Sequence, residues 1–256
     1  MKMSKKIISF AAAAVLGIQA LAIPVLAEVT PVYINNSDFS DCAVGGASKN
    51  GGIHGTNIIM DGSPWLSKGS ASVHYETFRK DEERGVNYCN MYSNSEKNGA
   101  FGAGSFYMYQ RDTSANYTKE YGLCEFDIRV HDGTFSMMFG DFTDATSNTD
   151  FVVGNVVFTT STINAKSKNG DKKVADIVAD KWYKVRITVN NKLQEYNVKV
   201  TDMDGKVIGS VDSIDYVQSQ ATGVRTWSFS YIKNGGAYNY DITNVTIDKS
   251  SEKFEL

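Results

Sequence analysis

Four ionisable residues occupy alternate positions in the stretch Tyr121–His131: Glu125, Asp127, Arg129 and His131. Residues two apart in a β-strand share a face. This spacing would therefore set two carboxylates, a guanidinium and an imidazole in one row. The opposite parity, Cys124, Phe126, Ile128 and Val130, would enter a core. Two other alternating stretches carry aromatic rings at the same spacing. Ser105–Arg111 divides into Phe106, Met108 and Gln110 against Ser105, Tyr107, Tyr109 and Arg111. Either set could be the buried one, and the second is taken as outward. Val86–Tyr92 offers Tyr88, Asn90 and Tyr92 as outward candidates. If these strands are neighbours, one face gathers tyrosines, acids, arginines and a histidine. Sugars are held by such a mixture, because rings stack on the apolar faces of pyranoses while carboxylates and guanidiniums hydrogen-bond hydroxyls. The candidate ligand-binding residues are thus Tyr88, Tyr92, Tyr107, Tyr109, Arg111, Glu125, Asp127, Arg129 and His131. The plain alternative is a polar outer sheet face in which Tyr and Thr serve only as good strand formers.

Other chemistries lack their residue sets. His54, His74 and His131 are scattered, with no H-x-H or H-E-x-x-H spacing for a catalytic zinc. There is no G-x-S-x-G elbow and no phosphate-cradling glycine loop. Asp202-Met203-Asp204-Gly205 starts like a calcium loop, but the ligand series does not continue and no Glu closes it. A hairpin turn accounts for it. The three cysteines, Cys42, Cys89 and Cys124, match no metal signature. Cys89 shares its parity with Met91, and Cys124 with Phe126 and Ile128, which suits small buried hydrophobes. An exported chain could still hold one disulfide among the three.

The elements that must position these residues are strands. Lys181–Ser210 contains three short alternating segments. Tyr183, Val185, Ile187 and Val189 oppose Lys184, Arg186 and Thr188; Tyr196, Val198 and Val200 oppose Asn197, Lys199 and Thr201. Asn190-Asn191 and Asp204-Gly205 separate the segments, which is the signature of an antiparallel meander. Trp182 opens it and is expected to pack. Further strands are expected at Val32–Ile34, Asn57–Met60, Ser70–Phe78, Val86–Tyr92, Gly104–Arg111, Tyr121–His131, Thr134–Asp141, Phe151–Thr160, Val174–Val178, Val224–Lys233 and Tyr238–Lys249. Asn35-Asn36-Ser37-Asp38 and Asp61-Gly62-Ser63-Pro64 read as turns, with Trp65 in the loop that follows. Arg79–Arg84 reads as a solvated hairpin end, and His131-Asp132-Gly133 as a tight turn joining two strands. No segment after the first 27 residues sustains a helical period, so the chain is all-β.

Residues 1–27 carry Lys2, Lys5 and Lys6, then an apolar run, then Val25-Leu26-Ala27, the three-part form of a secretory signal peptide. Cleavage would leave residues 28–256 as a single sandwich domain that is secreted, with no membrane span remaining. The whole chain has a net charge of −3; loss of three lysines with the leader leaves −6. A nucleic-acid partner demands a basic footprint and is not expected.

Several of these strands resemble a known group. Lys181-Trp182-Tyr183-Lys184-Val185, followed by Tyr-x-Val-x-Val and an Asp-Gly turn, resembles the W-x-x-V region of concanavalin A-like and laminin-G-like domains. Tyr240–Ile247 resembles their closing strand and Glu125–Val130 their central one. The resemblance implies a two-sheet antiparallel jelly-roll sandwich and a carbohydrate partner, polysaccharide or oligosaccharide, since members are commonly lectins, binding modules, glycosidases or lyases. It also implies that a structural Ca²⁺ is plausible, without residues assigned. A glucanase strand of this group carries E-x-D-x-x-E, and Val130 stands where the last Glu should be. Tyr231–Tyr238 is similar to the Y-F-K-x-G-x-Y strand of alginate lyases, with one extra residue and without the lyases' R-x-E-L and Q-I-H. The expected function is therefore a secreted, monomeric, lectin-like carbohydrate-binding module without its own catalysis. The alternatives are a polysaccharide lyase or hydrolase using Tyr231, His131 and Arg129, or an adhesion module with a protein partner.

Overall fold

The computed structural model describes residues 35–40, 44, 47–48, 58–60, 63–68, 74–93, 107–111, 120–141, 151–231 and 238–256. The leader expected at residues 1–27, the strand expected at Val32–Ile34 and Cys42 lie outside them. In chain order the strands are β1 (Asn35–Ser37), β2 (Ala47–Ser48), β3 (Ile58–Met60), β4 (Ser63–Lys68), β5 (His74–Asp81), β6 (Val86–Ser93), β7 (Tyr107–Arg111), β8 (Tyr121–Asp132) and β9 (Phe135–Gly140). They continue with β10 (Val152–Phe158), β11 (Thr162–Ala165), β12 (Lys172–Asp176), β13 (Trp182–Asn190), β14 (Glu195–Asp202), β15 (Val207–Asp215), β16 (Thr226–Tyr231) and β17 (Tyr238–Ser250).

The meander forms where its pattern places it, as β13, β14 and β15, paired antiparallel. Its turns follow from side-chain chemistry. Asn190 Oδ1 accepts from Lys192 N at 3.1 Å and Leu193 N at 3.0 Å. Asp202 Oδ1 accepts from Asp204 N and Lys206 N, and Gly205 takes the φ of +84° that the turn requires. Asp202 is therefore committed to the turn. Among the described residues no group of three or more His, Cys, Asp or Glu could hold a metal ion.

The strands assemble into two antiparallel sheets, the jelly-roll sandwich expected from the sequence. One has the order β15-β14-β13-β8-β17-β6-β5-β2, with β1 added on β17. The other has the order β12-β11-β10-β9-β16-β7-β4-β3. Three local readings change. Asn35–Ser37, expected as a turn, is β1 and pairs with Val245–Ile247, because β17 offers a free edge beyond the stretch it shares with β6. Pro64 and Trp65, expected in a turn and loop, lie in β4, where Trp65 pairs with Gln110. His131-Asp132-Gly133 is not a hairpin. Gly133 adopts φ +78°, but β8 belongs to one sheet and β9 to the other, so the turn crosses the sandwich.

Between the sheets lies an aromatic core. Phe135 stacks on Tyr240 at 3.7 Å and on Phe158 at 4.8 Å. Phe126 meets Phe229 edge-on at 4.9 Å. Phe139 stacks on Trp227 at 4.9 Å and meets Tyr196 edge-on at 5.2 Å. Each such ring, fully buried, contributes about 1.5–3 kcal/mol by leaving water. Cys89 and Cys124 are buried here as small apolar groups, and burial pushes the Cys124 thiol well up.

The core tolerates no methyl group at Gly154. A Cβ there would stand 2.1 Å from the ring of Phe139. Gly154→Ala must push Phe139 off Trp227, and the expected loss of stability is about 1–3 kcal/mol, the usual cost of overpacking. Urea unfolding with a fixed m-value measures it.

Candidate functional site

The outward parity of the nine-stranded sheet builds the site. Register aligns one residue from each of five strands: Trp182 (β13), Arg129 (β8), Asp241 (β17), Asn90 (β6) and Thr77 (β5). Cross-strand neighbours on one face stand about 5 Å apart, so this row is contiguous. Asp241 is only 1% exposed. Its Oδ2 accepts from Arg129 Nε at 2.8 Å, and Arg129 Nη2 lies 2.7 Å away. Its Oδ1 accepts from Asn90 Nδ2 at 2.7 Å.

His131, one step further along β8, is held by two carboxylates. Its Nε2 lies 2.7 Å from Asp241 Oδ2 and its Nδ1 2.6 Å from Asp180 Oδ1. Two carboxylate acceptors favour the charged ring, which has two N–H donors. Its pKa is raised above the usual 6.5, first by the bond to Asp241, then by that to Asp180, against burial and the nearby Arg129 charge. Asp180 sits at φ +64°, an uncommon conformation for a residue with a Cβ, and its N–H is tied to Val130 O at 2.9 Å.

A second layer of charge covers the row. The turn after β5 is fixed by Gly85 N donating to Asp81 O at 2.8 Å and Arg84 N donating to Asp81 Oδ1 at 3.1 Å, with Gly85 at φ +67°. It folds Arg84 inward. The guanidinium lies 4.7 Å from the centre of the Trp182 ring, and that of Arg129 lies 4.6 Å from it. Arg84 Nη2 donates to Asp127 Oδ2 at 2.6 Å, and Asn244 Nδ2, at a bulge of β17, donates to the same oxygen at 2.8 Å. Trp182 Nε1 donates to Asp81 Oδ2 at 2.9 Å. Burial alone would raise the Asp81 carboxyl; the bonds from Arg84 N and Trp182 Nε1 and the two arginine charges bring it below its ordinary value.

This arrangement sorts the sequence candidates. Glu125, Asp127, Arg129 and His131 share the outward face of β8, and Tyr88, Asn90 and Tyr92 share that of β6, as their parity implies. Tyr88 is 8% exposed and meets Trp182 edge-on at 5.8 Å, so its ring packs and offers no stacking platform. Asp127, 1% exposed, is buried beneath Arg84. Tyr107, Tyr109 and Arg111 lie on β7 in the opposite sheet, so the single face imagined from sequence is divided between two. Tyr231, on β16, is likewise in the other sheet from Arg129 and His131. Sequence reasoning missed Asp81, Arg84, Asp180 and Asp241. The parity of Tyr240 and Ile242 would have turned Asp241 outward beside Asn239; nothing local marks Arg84 or Asp180 as partners of β8.

Three turns wall a cleft of about 550 Å³ at this end of the sheet. Asp81, Glu83 and Arg84 come from the β5–β6 turn, Asp176, Asp180, Lys181 and Trp182 from the β12–β13 connection, and Asp202–Asp204 from the β14–β15 turn, with Arg129 contributed by β8. Six carboxylates line it, those of Asp81, Glu83, Asp176, Asp180, Asp202 and Asp204, beside three cations, Arg84, Arg129 and Lys181.

No family model matches the chain, and no curated protein matches it in sequence. Among solved structures it is similar to alginate lyase A1-II′ of polysaccharide lyase family 7, at TM-score 0.47 and 13% identity over 68% of this chain and 84% of that one. It is also similar to basic winged bean lectin, at TM-score 0.42 and 11% identity over 67% and 89%. A sialidase gives TM-score 0.45 and 13% identity over 74% of this chain, which spans 21% of the sialidase's length. No residue role is carried across from them.

The His131 bridge has a pH signature. Its folded pKa is raised, so its contribution is fully present below about pH 6.5 and is lost as pH rises through the folded value. Burial raises Asp248 to about 6 and lowers Lys249 to about 8, so these titrate on either side. Between them, stability should fall with rising pH in the native chain and fall less in His131→Gln. Melting temperatures from pH 6 to 8 measure the difference, and identical slopes would remove the bridge.

Proposed function

We propose that the protein binds a carbohydrate chain in the cleft at the end of the nine-stranded sheet, with Arg129, Asp180 and Lys181 among its contacts. The observation that carries this reading is the cleft's lining. Sugar hydroxyls both donate and accept, and here acceptors and donors stand side by side. Arg129 is held by Asp241 and Asp180 by His131, so little ordering remains to be done when a ligand arrives. A volume of about 550 Å³ lies within the usual range for ligand sites. Aromatic stacking is a minor part of this recognition, since Tyr88 and Trp182 are enclosed. The leader-like residues 1–27 support export of the chain, so a polymer outside the cell is the natural partner.

A second reading is favoured by one feature, the charged His131 beside Asp180 at the cleft's edge. A protonated imidazole bound to an exposed carboxylate can deliver a proton to a leaving oxygen. Release of unsaturated or reducing oligosaccharides from a polysaccharide panel would favour catalysis over binding alone.

Affinity electrophoresis and calorimetry against neutral and acidic polysaccharides test the proposal. Binding should weaken about two- to tenfold in Lys181→Ala and Asp180→Asn, the worth of one hydrogen bond each. Absence of binding to every glycan, or binding indifferent to both substitutions, overturns it.

A further inference from the structure

We propose that the outer surface of β13 and β14 is an anion-binding groove, that residues 251–256 occupy it, and that an anionic polysaccharide takes their place. This rests on the carbohydrate reading above and gives the ligand a charge class.

The register creates the groove. Arg186 lies directly opposite Lys199 on β14 and opposite Glu125 on β8. Like charges facing each other across a sheet are destabilising. Lys184 follows two residues away on the same face, about 7 Å along the strand. One carboxylate serves this group: Glu125 Oε2 pairs with Arg186 Nη1 at 2.9 Å, and Glu125 Oε1 lies 3.4 Å from Lys184 Nζ. Among the described residues Lys199 has no ion-pair partner. Three cations against one acid leave this strip positive, although the chain as a whole is negative.

Residues 251–256, Ser-Glu-Lys-Phe-Glu-Leu, cross the strip without joining the sheet. Arg186 Nε donates to the Glu255 carbonyl at 2.8 Å, the segment's one hydrogen bond to β13 and β14 among the described residues. Glu255 and Leu256 wall a hollow of about 270 Å³ over Lys184, Arg186 and Lys199. Lys253 and Phe254 line a smaller one, about 130 Å³, against Tyr121, Thr188 and Asn197. The segment thus supplies the Glu255 carbonyl to Arg186 and brings the Glu255 residue to the hollow over the sheet's cations. So few bonds make it the kind of element that opens locally.

Position favours a polysaccharide as the successor. Trp182 walls the cleft, and Arg186 follows on the same face about 13 Å along β13. A chain whose hydroxyls lie in the cleft would, continuing along β13, set its acidic groups over Lys184, Arg186 and Lys199.

The test compares the full chain with one ending at Ser250, using polygalacturonate, polyglutamate and neutral dextran at low salt. Shortening should tighten polygalacturonate roughly tenfold, the worth of one charge-assisted bond, with dextran unchanged. Lys199→Glu should cancel the gain. In the full chain, where folding is not at issue, Lys199→Glu should weaken polygalacturonate severalfold and leave dextran alone. No gain on shortening in a folded protein, or no effect of Lys199→Glu, overturns the groove. An equal gain for polyglutamate overturns the polysaccharide assignment. Glycan binding that persists in the cleft without any polyuronate gain ends this proposal and leaves the carbohydrate reading standing.

Discussion

A carboxylate buried in the middle of a sheet must be surrounded by donors, and Asp241 sets that requirement for this protein. Removing it from water without partners would cost several kcal/mol. Arg129, His131 and Asn90 meet the cost, and each is thereby fixed. Fixing Arg129 places one guanidinium against Trp182. Fixing His131 draws in Asp180 and, through it, the connection between β12 and β13. Two of the cleft's three walls are therefore tied to one interaction on β17. Such a network is weak as a source of net stability. Its consequence is geometric: the β12–β13 connection, through Asp180, and the end of β5, through Asp81, arrive at one place.

Trp182 answers a different question, why a sheet face rich in aromatics offers so little ring surface. The indole lies between two guanidiniums, and its N–H is spent on Asp81. Cation–π contacts of this kind contribute about 0.5–2 kcal/mol each, in addition to the burial of the ring itself. With Trp182 at 9% exposure and Tyr88 at 8%, the rings serve the arginines. A ligand in the cleft would meet mainly hydrogen-bonding groups, whose interactions are directional. The contacts that hold Arg129 and Asp180 would matter accordingly, because stacking tolerates sliding and hydrogen bonds do not.

The fold was legible because alternation and turn chemistry are local. Tyr183 to Val189 and Tyr196 to Val200 announce their buried parity, and Asn190 and Asp202 announce their turns. The outward row of β8 was legible for the same reason. Sheet membership was not. Tyr107, Tyr109 and Arg111 alternate as Tyr88 and Tyr92 do, but strand order is set by packing of the whole chain, and β7 joined the other sheet. The partners of the site were hidden by distance: Arg84 reaches Asp127 across 43 residues and Asp241 reaches Arg129 across 112. Arg84 sits in a run of charges that any solvated turn would show. Only the docking of that turn onto Trp182 distinguishes it.

The same face carries two opposite electrostatic characters. Around the cleft, Arg84 and Arg129 are consumed by buried aspartates, so the charge left at the rim is mostly that of Glu83, Asp202 and Asp204. Along β13 and β14, Lys184, Arg186 and Lys199 outnumber Glu125. The two zones lie nearer to each other than roughly two Debye lengths at physiological salt, so a bound chain would sense both. A uniformly neutral ligand would gain nothing from this division, whereas one with acidic groups at some distance from its hydroxyl-rich end would be aligned by it. Segment 251–256 meets that description in miniature, with the Glu255 carbonyl bonded to Arg186 and Glu255 walling the hollow over the basic zone. Its presence there follows from the same physics that the groove would apply to a ligand: unmatched cations on a sheet face recruit whatever flexible, acidic segment is tethered within reach.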